Sequence, residues 1–307
     1  MKTAARPSTK LRTNGTSKGS ARTGNLPRLG AHMSIAGGFD LAIERGLKVG
    51  CRTVQIFSKS NNQWEAPPIR PEDAERFKAA AAKSGIAPVF AHTAYLINVA
   101  SPEKAVWARS RSALKTEVER AAALGLPFIV HHPGSHKETG EEQGIRRIAD
   151  AVRWVIDQTP KSPVKVLYEI AAGQGACIGH RFEHLTELLR LTARPERTGI
   201  CLDTCHLFAA GYDIRTKAAY EATMAEFDRV VGLKRVLAVH LNDSKKGLGC
   251  RVDRHEHIGK GEIGLEGFRC LMNDKRLAGV PMVLETPKDE ECTEDRVNLK
   301  VLQGLVK

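Results

Sequence analysis

The chain has 307 residues, 42% apolar and 27% charged, with a net charge of +12 from 47 basic and 35 acidic side chains. That balance fits a globular protein with a sizeable core; no apolar run approaches the roughly 18 residues that span a bilayer, and no apolar stretch in the first 27 residues resembles a secretory signal, so no membrane partner is expected. Seven cysteines, an odd number with no Cys-x-x-Cys, speak against a disulfide framework and for a reducing compartment.

Residues 1–27 carry Lys2, Arg6, Lys10, Arg12, Lys18 and Arg22 and no acid. They hold too little apolar surface to offset ordering entropy, which predicts a disordered basic tail. A DNA-tethering arm or a targeting segment are the functional alternatives to a solvated tail, although the amphipathic stripe of a transit peptide is missing. Setting those six cations aside leaves +6 on residues 28–307, a weak pointer to a polyanionic partner.

From Leu29 the sequence alternates. Short apolar runs of strand type lie at 29–32, 53–57, 88–92, 127–132, 165–170, 199–204, 236–243 and 281–286. Helix-type segments separate them, with starts expected at Arg70-Pro71 and Ser101-Pro102 and C-caps at Gly85 and Gly125. Eight strands alternating with eight helices predict one α/β domain over 28–307, a (β/α)8 TIM barrel whose runs are covered on both faces.

The polar residues of these runs fall at their C-terminal ends: His92, His131-His132, Glu169, Asp203, His240 and Glu285. In a closed barrel those ends converge at the mouth, where barrel enzymes place their chemistry. Any one of them could merely cap a loop; six strands ending in ligand-type residues point to a metal site. Imidazole and carboxylate without thiolate suit Zn, Mn or Fe, and several carboxylates among histidines favour more than one ion. Strand alternation allows one of His131 and His132 into the mouth, and His132 is nearer the loop. Asp203 and His206 sit three apart at a strand-to-helix turn. Asp253 and His255, two apart in an extended loop, can grip one ion together with His206, although Asp253 by itself reads as a surface acid. Cys205 lies beside this set. His32, His136, His180, His184 and His257 read as structural or surface residues.

The strings GAHMSIAGG (30–38), HTAYLIN (92–98), HHPGSH (131–136), YEIAAGQG (168–175), CLDTCHLFAAGYD (201–213), HLNDSK (240–245), GCRVDRHEHIGKGEIG (249–264) and LET (284–286) run in one order to the C-terminus. Through them the chain resembles the endonuclease IV family of apurinic/apyrimidinic endonucleases (deoxyribonuclease IV). The resemblance implies three zinc ions per chain, with Mn2+ or Fe2+ as substitutes. His92, His132 and Glu169 would take one ion, and Glu169, Asp203, His240 and Glu285 a second, Glu169 bridging. His206, Asp253 and His255 would take the third. It further implies DNA base-excision repair: hydrolysis of the phosphodiester 5′ to an abasic site in double-stranded DNA, leaving a 3′-hydroxyl and a 5′-deoxyribose phosphate, with clearing of blocked 3′ ends. Glu169 and Glu285 would be the catalytic carboxylates, Glu285 orienting the attacking water. Gln63, Trp64, Tyr95, Leu96 and Arg254 would contact DNA. A monomer is expected, cytoplasmic and nucleoid-associated in a bacterium, nuclear or mitochondrial in a eukaryote. Two departures stand out: Asn62 occupies a position of the KSNNQW loop (59–64) where an arginine enters the duplex, and Ile170-Ala171 replace a polar pair after Glu169. The rivals are a two-metal sugar isomerase or epimerase and a DNA-binding or metal-storage protein without catalysis; the Asp253, His255 and His206 set favours the nuclease.

Overall fold

The computed structural model describes Met1 and residues 27–307; between its two ends, the tail expected over 1–27 lies outside the described residues. Eight parallel strands close into a barrel. They are β1 (Arg28–Met33), β2 (Thr53–Phe57), β3 (Val89–His92), β4 (Phe128–His131), β5 (Lys165–Glu169), β6 (Thr198–Asp203), β7 (Val236–His240) and β10 (Pro281–Leu284), joined in that cyclic order. Between β7 and β10 a two-residue antiparallel ribbon forms from β8 (Asp243–Ser244) and β9 (His255–Glu256). Around the barrel lie α1 (Phe39–Val49), α2 (Pro71–Ser84), α3 (Lys104–Ala123), α4 (Glu141–Gln158), α5 (Phe182–Thr192), α6 (Thr204–Ala209), α7 (Lys217–Val230), α8 (Gly264–Met272) and α9 (Thr293–Gly304).

The period of two along each strand divides the core into two layers. Phe90, Phe128, Val130, Leu167, Cys201, Ala238 and Val283 form a small buried cluster that fills the barrel interior. Their neighbours Ala91, Ile129, Val166, Ile200, Val239 and Leu284 face outward into the larger cluster shared with the helices. Burying one such side chain stabilises the fold by roughly 1.5–3 kcal/mol. The interior layer also plugs the barrel, so chemistry is confined to the rim.

Several sequence expectations need adjusting. Arg70 does precede Pro71 at the first turn of α2, and Gly85 ends that helix in the left-handed region. In contrast, α3 begins at Lys104 and not at Ser101-Pro102, because Ser101 is drawn into a turn: its N–H donates to Asn98 O and its hydroxyl accepts from Glu103 N. A ninth helix among the described residues, the six-residue α6, follows β6 directly and is capped by Asp203. Strand seven ends at His240, short of Asp243. Thr204 Oγ1 captures the carbonyl of Asn242 at 2.6 Å and also accepts its N–H at 2.8 Å, turning the chain out of the barrel and into the ribbon. All seven cysteines are free. No helix among the described residues is long and apolar enough to cross a membrane.

Candidate metal centre

The two-residue period that fills the interior also places the candidate ligands. Two positions beyond Phe90, Val130, Leu167, Cys201, Ala238 and Val283 stand His92, His132, Glu169, Asp203, His240 and Glu285. Each therefore inherits the inward face and sits above the apolar plug at the rim. His131 takes the opposite parity; it is fully buried, and burial pushes its imidazole down to about 3. On β6 and β7 a register shift between Ile200 and Cys201 makes Asp203, not Thr204, the partner of His240. Bulges of this kind commonly re-aim a side chain near a site.

Glu169 is at the centre. Its Oε2 lies 3.1 Å from His92 Nε2 and 3.0 Å from His132 Nε2, and its Oε1 lies 3.0 Å from His240 Nδ1 and 3.3 Å from His206 Nδ1. Its two oxygens thus face different histidines, as a bridging carboxylate requires. His240 Nδ1 is also 3.2 Å from Glu285 Oε2 and 3.8 Å from Asp203 Oδ2. Donor atoms of His92, His132 and Glu169 lie within 4.8 Å of one another, as do those of Glu169, Asp203, His240 and Glu285. The ribbon supplies the rest: Asp253 reaches His206 Nε2 at 3.1 Å and His255 Nε2 at 3.2 Å. Asp203 forms a further set with the same two histidines.

Two observations test whether this donor set fits metal ions. The ring nitrogens His206 Nε2 and His255 Nε2 are buried and face Asp253 oxygens at 3.1 and 3.2 Å without the alignment of a hydrogen bond, which is costly unless something else fills the position. In addition, the other nitrogen of four of the histidines is tied to a carbonyl oxygen: His92 Nδ1 to Thr93 O (2.8 Å), His206 Nδ1 to Ile170 O (2.9 Å), His255 Nδ1 to Glu285 O (3.1 Å) and His240 Nε2 to Gln55 Oε1 (2.8 Å). In the neutral imidazole this pattern fixes the proton on the outer nitrogen and leaves a lone pair facing the centre, the arrangement that orients metal-ligating histidines. The set fits divalent ions.

Charge follows the same geometry. Burial alone would raise the Glu169 carboxyl, but the His132 and His240 imidazoles hold it well below the usual carboxylate range. Burial opposes protonation of His255, yet the adjoining Asp253 carboxylate and the Asp203 charge raise it to about 9. Cys205 lies within reach of Asp253 and His255, but its thiol faces Arg254 O and burial pushes it up to about 12, so it stays protonated.

Some residues of the site escape sequence reasoning. Gln55, buried on the inner face of β2, donates its amide to Glu285 Oε1 and to His32 Nδ1 (2.9 Å) while accepting from His240. His32, which reads as structural from sequence, is therefore a neighbour of Glu285. Asn242 donates to Asp203 Oδ2 at 2.6 Å and accepts Glu285 N at 2.8 Å. A polar residue on the inner face of a barrel strand was the available signal for Gln55. Ile170 acts through its carbonyl, which the change of side chain after Glu169 leaves in place.

Around the centre, Tyr95 is 56% and Leu96 36% exposed, an unusual state for two adjacent large apolar residues. The Tyr95 ring stands 5.7 Å from that of His132. Asn62 and Gln63 are exposed in the loop after β2, with Trp64 partly buried. Arg254 is exposed on the ribbon. One further His/Glu set among the described residues, Glu141, His180 and His184, is held by the protein's own cation: Arg181 Nη2 lies 2.7 Å from Glu141 Oε2 and 2.8 Å from His184 Nε2.

The model of the xylose isomerase-like TIM barrel family matches residues 43–303. A probable endonuclease 4 of Chloroflexus aurantiacus is 51% identical over 281 residues, covering 92% of this chain and 99% of that protein. Another from Geobacter sulfurreducens is 48% identical over 279 residues, covering 91% and 94%. Among solved structures, endonuclease IV from Thermus thermophilus is 37% identical with a TM-score of 0.80, over 91% of this chain and 98% of that one. A 3-keto-D-glucoside 4-epimerase from E. coli, 13% identical with a TM-score of 0.65 over 91% and 99%, shares the fold alone.

Proposed function

This chain belongs to the endonuclease IV family, and from that premise we propose that it is a DNA-repair hydrolase cutting the phosphodiester 5′ to abasic sites in duplex DNA and clearing blocked 3′ ends. The catalytic unit is the barrel, residues 28–307, with residues 1–27 as a basic tail. It acts as a monomer in the bacterial cytoplasm, at the nucleoid. The observation that carries the reading is Asp253 between His206 Nε2 and His255 Nε2, which adds a third cluster to the two built around Glu169.

His92, His132 and Glu169 would hold one zinc ion. Glu169, Asp203, His240 and Glu285 would hold a second, and His206, Asp253 and His255 a third; Mn2+ or Fe2+ can substitute. Such ions supply Lewis-acid stabilisation of phosphate oxygens and lower the pKa of water. The protein's own groups do the positioning. Glu169 holds the two flanking histidine sets at a fixed separation through its two oxygens. Glu285, steadied by the Gln55 amide at Oε1, turns Oε2 into the centre and orients the attacking water. Tyr95 and Leu96 enter the gap in the base stack, where an abasic nucleotide is least costly to extrude. Gln63, Trp64 and Arg254 contact the duplex. Asn62 lacks the charge and reach of an inserted arginine, so the probing of the stack falls to these neighbours.

Incision of a synthetic duplex carrying one abasic site, resolved by gel, tests the proposal. The native chain should leave a 3′-hydroxyl and a 5′-deoxyribose phosphate, chelation should abolish cutting and returned zinc should restore it. No incision, or incision indifferent to stripping, contradicts it.

A further inference from the structure

The loop after β2 (residues 58–67) and the loop after β3 (residues 93–103) are both tied to α3. Arg120 holds the first loop at its two ends, donating to Ser58 O and Pro67 O, each at 2.6 Å. Ser110 Oγ accepts Asn98 N of the second loop at 3.0 Å. Glu117 does both. Its Oε2 accepts the Ser58 hydroxyl, while Oε1 accepts Ala94 N–H at 3.3 Å and lies 3.4 Å from Lys59 Nζ. Lys59 is itself buried and donates to Gln63 O at 2.6 Å.

Positions 110, 117 and 120 share one face of a helix by their spacing. A polar stripe therefore lies where a helix packed on a barrel ordinarily buries apolar residues. A carboxylate, an ammonium and a guanidinium placed there hold a helix no better than apolar side chains would, and they are costly if any partner is lost. What they add is a fixed register between the segments they join. Glu117 is 1% exposed, and the partners named here include none of the nine ligand residues.

We propose that Glu117 is a positioning residue: it sets the β2 loop, with Gln63 and Trp64, and the β3 loop, with Tyr95 and Leu96, at one separation, so that both meet a duplex in a single register. This rests on the abasic-DNA reading of the mouth.

The test compares Glu117→Ala, Glu117→Gln and Ser58→Ala with the native chain on an abasic duplex, reading KM, kcat and zinc per chain. Glu117→Ala should raise KM about tenfold, from the loss of hydrogen bonds to a buried charge, with kcat and zinc content close to native. Glu117→Gln keeps an acceptor for Ala94 N–H and recovers part of the loss. A folded Glu117→Ala protein with native KM, or one whose kcat falls while KM stays, overturns the inference. If Glu117→Ala does not fold, Ser58→Ala, which cuts one tie to the same carboxylate, decides: a KM raised about threefold supports it and a native KM overturns it. Absence of incision by the native chain overturns the functional reading and this inference together; incision by the native chain with unmoved variants overturns the inference alone.

Discussion

Gln55 shows how much a residue outside the ligand set controls the centre. Its amide oxygen takes the Nε2 proton of His240 and its amide nitrogen steadies Glu285, so it fixes both the ring nitrogen that faces the centre and the carboxylate beside it. Replacing it by leucine leaves the ring free to rotate and to carry its proton on either nitrogen. Glu285 loses a donor as well. Loss of such an outer partner typically weakens metal binding about 10–100-fold. Gln55→Leu should show that loss in a competition titration with a chelator; an unchanged affinity would mean that His240 is oriented by packing alone. Gln55 was hidden in the sequence because TVQIF reads as one apolar strand and a lone glutamine looks like a defect in it. The candidate ligands at the strand ends were easier to see, since each is a charged or imidazole group closing an apolar run. Asp253 was weaker, because a loop acid is usually solvated, and it gained meaning only with His255 two residues on.

Among the elements, the strands were legible and the β8–β9 ribbon was not. Two-residue strands carry no periodicity, and Asn242-Asp243 looks like the end of strand seven. The ribbon is held by Asp243, which is fully buried and accepts Ser244 N (2.8 Å), Gly259 N (2.9 Å) and Ile263 N (3.0 Å). Gly261 passes so close that an added Cβ would lie 2.3 Å from Ser244 O, so the segment is fitted tightly against β8. Removing Asp243 strands three backbone donors at roughly 1–3 kcal/mol each. The damage should stay local, because the barrel sheet closes without the ribbon. Asp243→Ala should therefore lose the ion assigned to His206, Asp253 and His255 and keep the pair around Glu169. Elemental analysis showing the full metal complement in that variant would contradict this role for the ribbon. Helix starts failed at α3 for a similar reason: the Ser101 hydroxyl prefers a turn to a cap, a competition that sequence does not rank.

At the scale of the whole molecule, the barrel is common to enzymes that act on sugars and to the endonuclease IV family, so the architecture by itself does not choose between them. The excess of positive charge favours a phosphate-rich partner but acts through long-range steering, not through any one contact. What distinguishes the chemistry is the rim. Six strand ends supply the Glu169-centred clusters that a two-metal isomerase could also build, and the ribbon with α6 supplies a third. The central claim is thus the number of ions. Zinc counted per chain by elemental analysis, after reconstitution and removal of loosely bound metal, tests it most directly. Three per chain is the result expected; two per chain, unchanged in Asp253→Ala, would contradict the account and return the barrel to the isomerase type of centre.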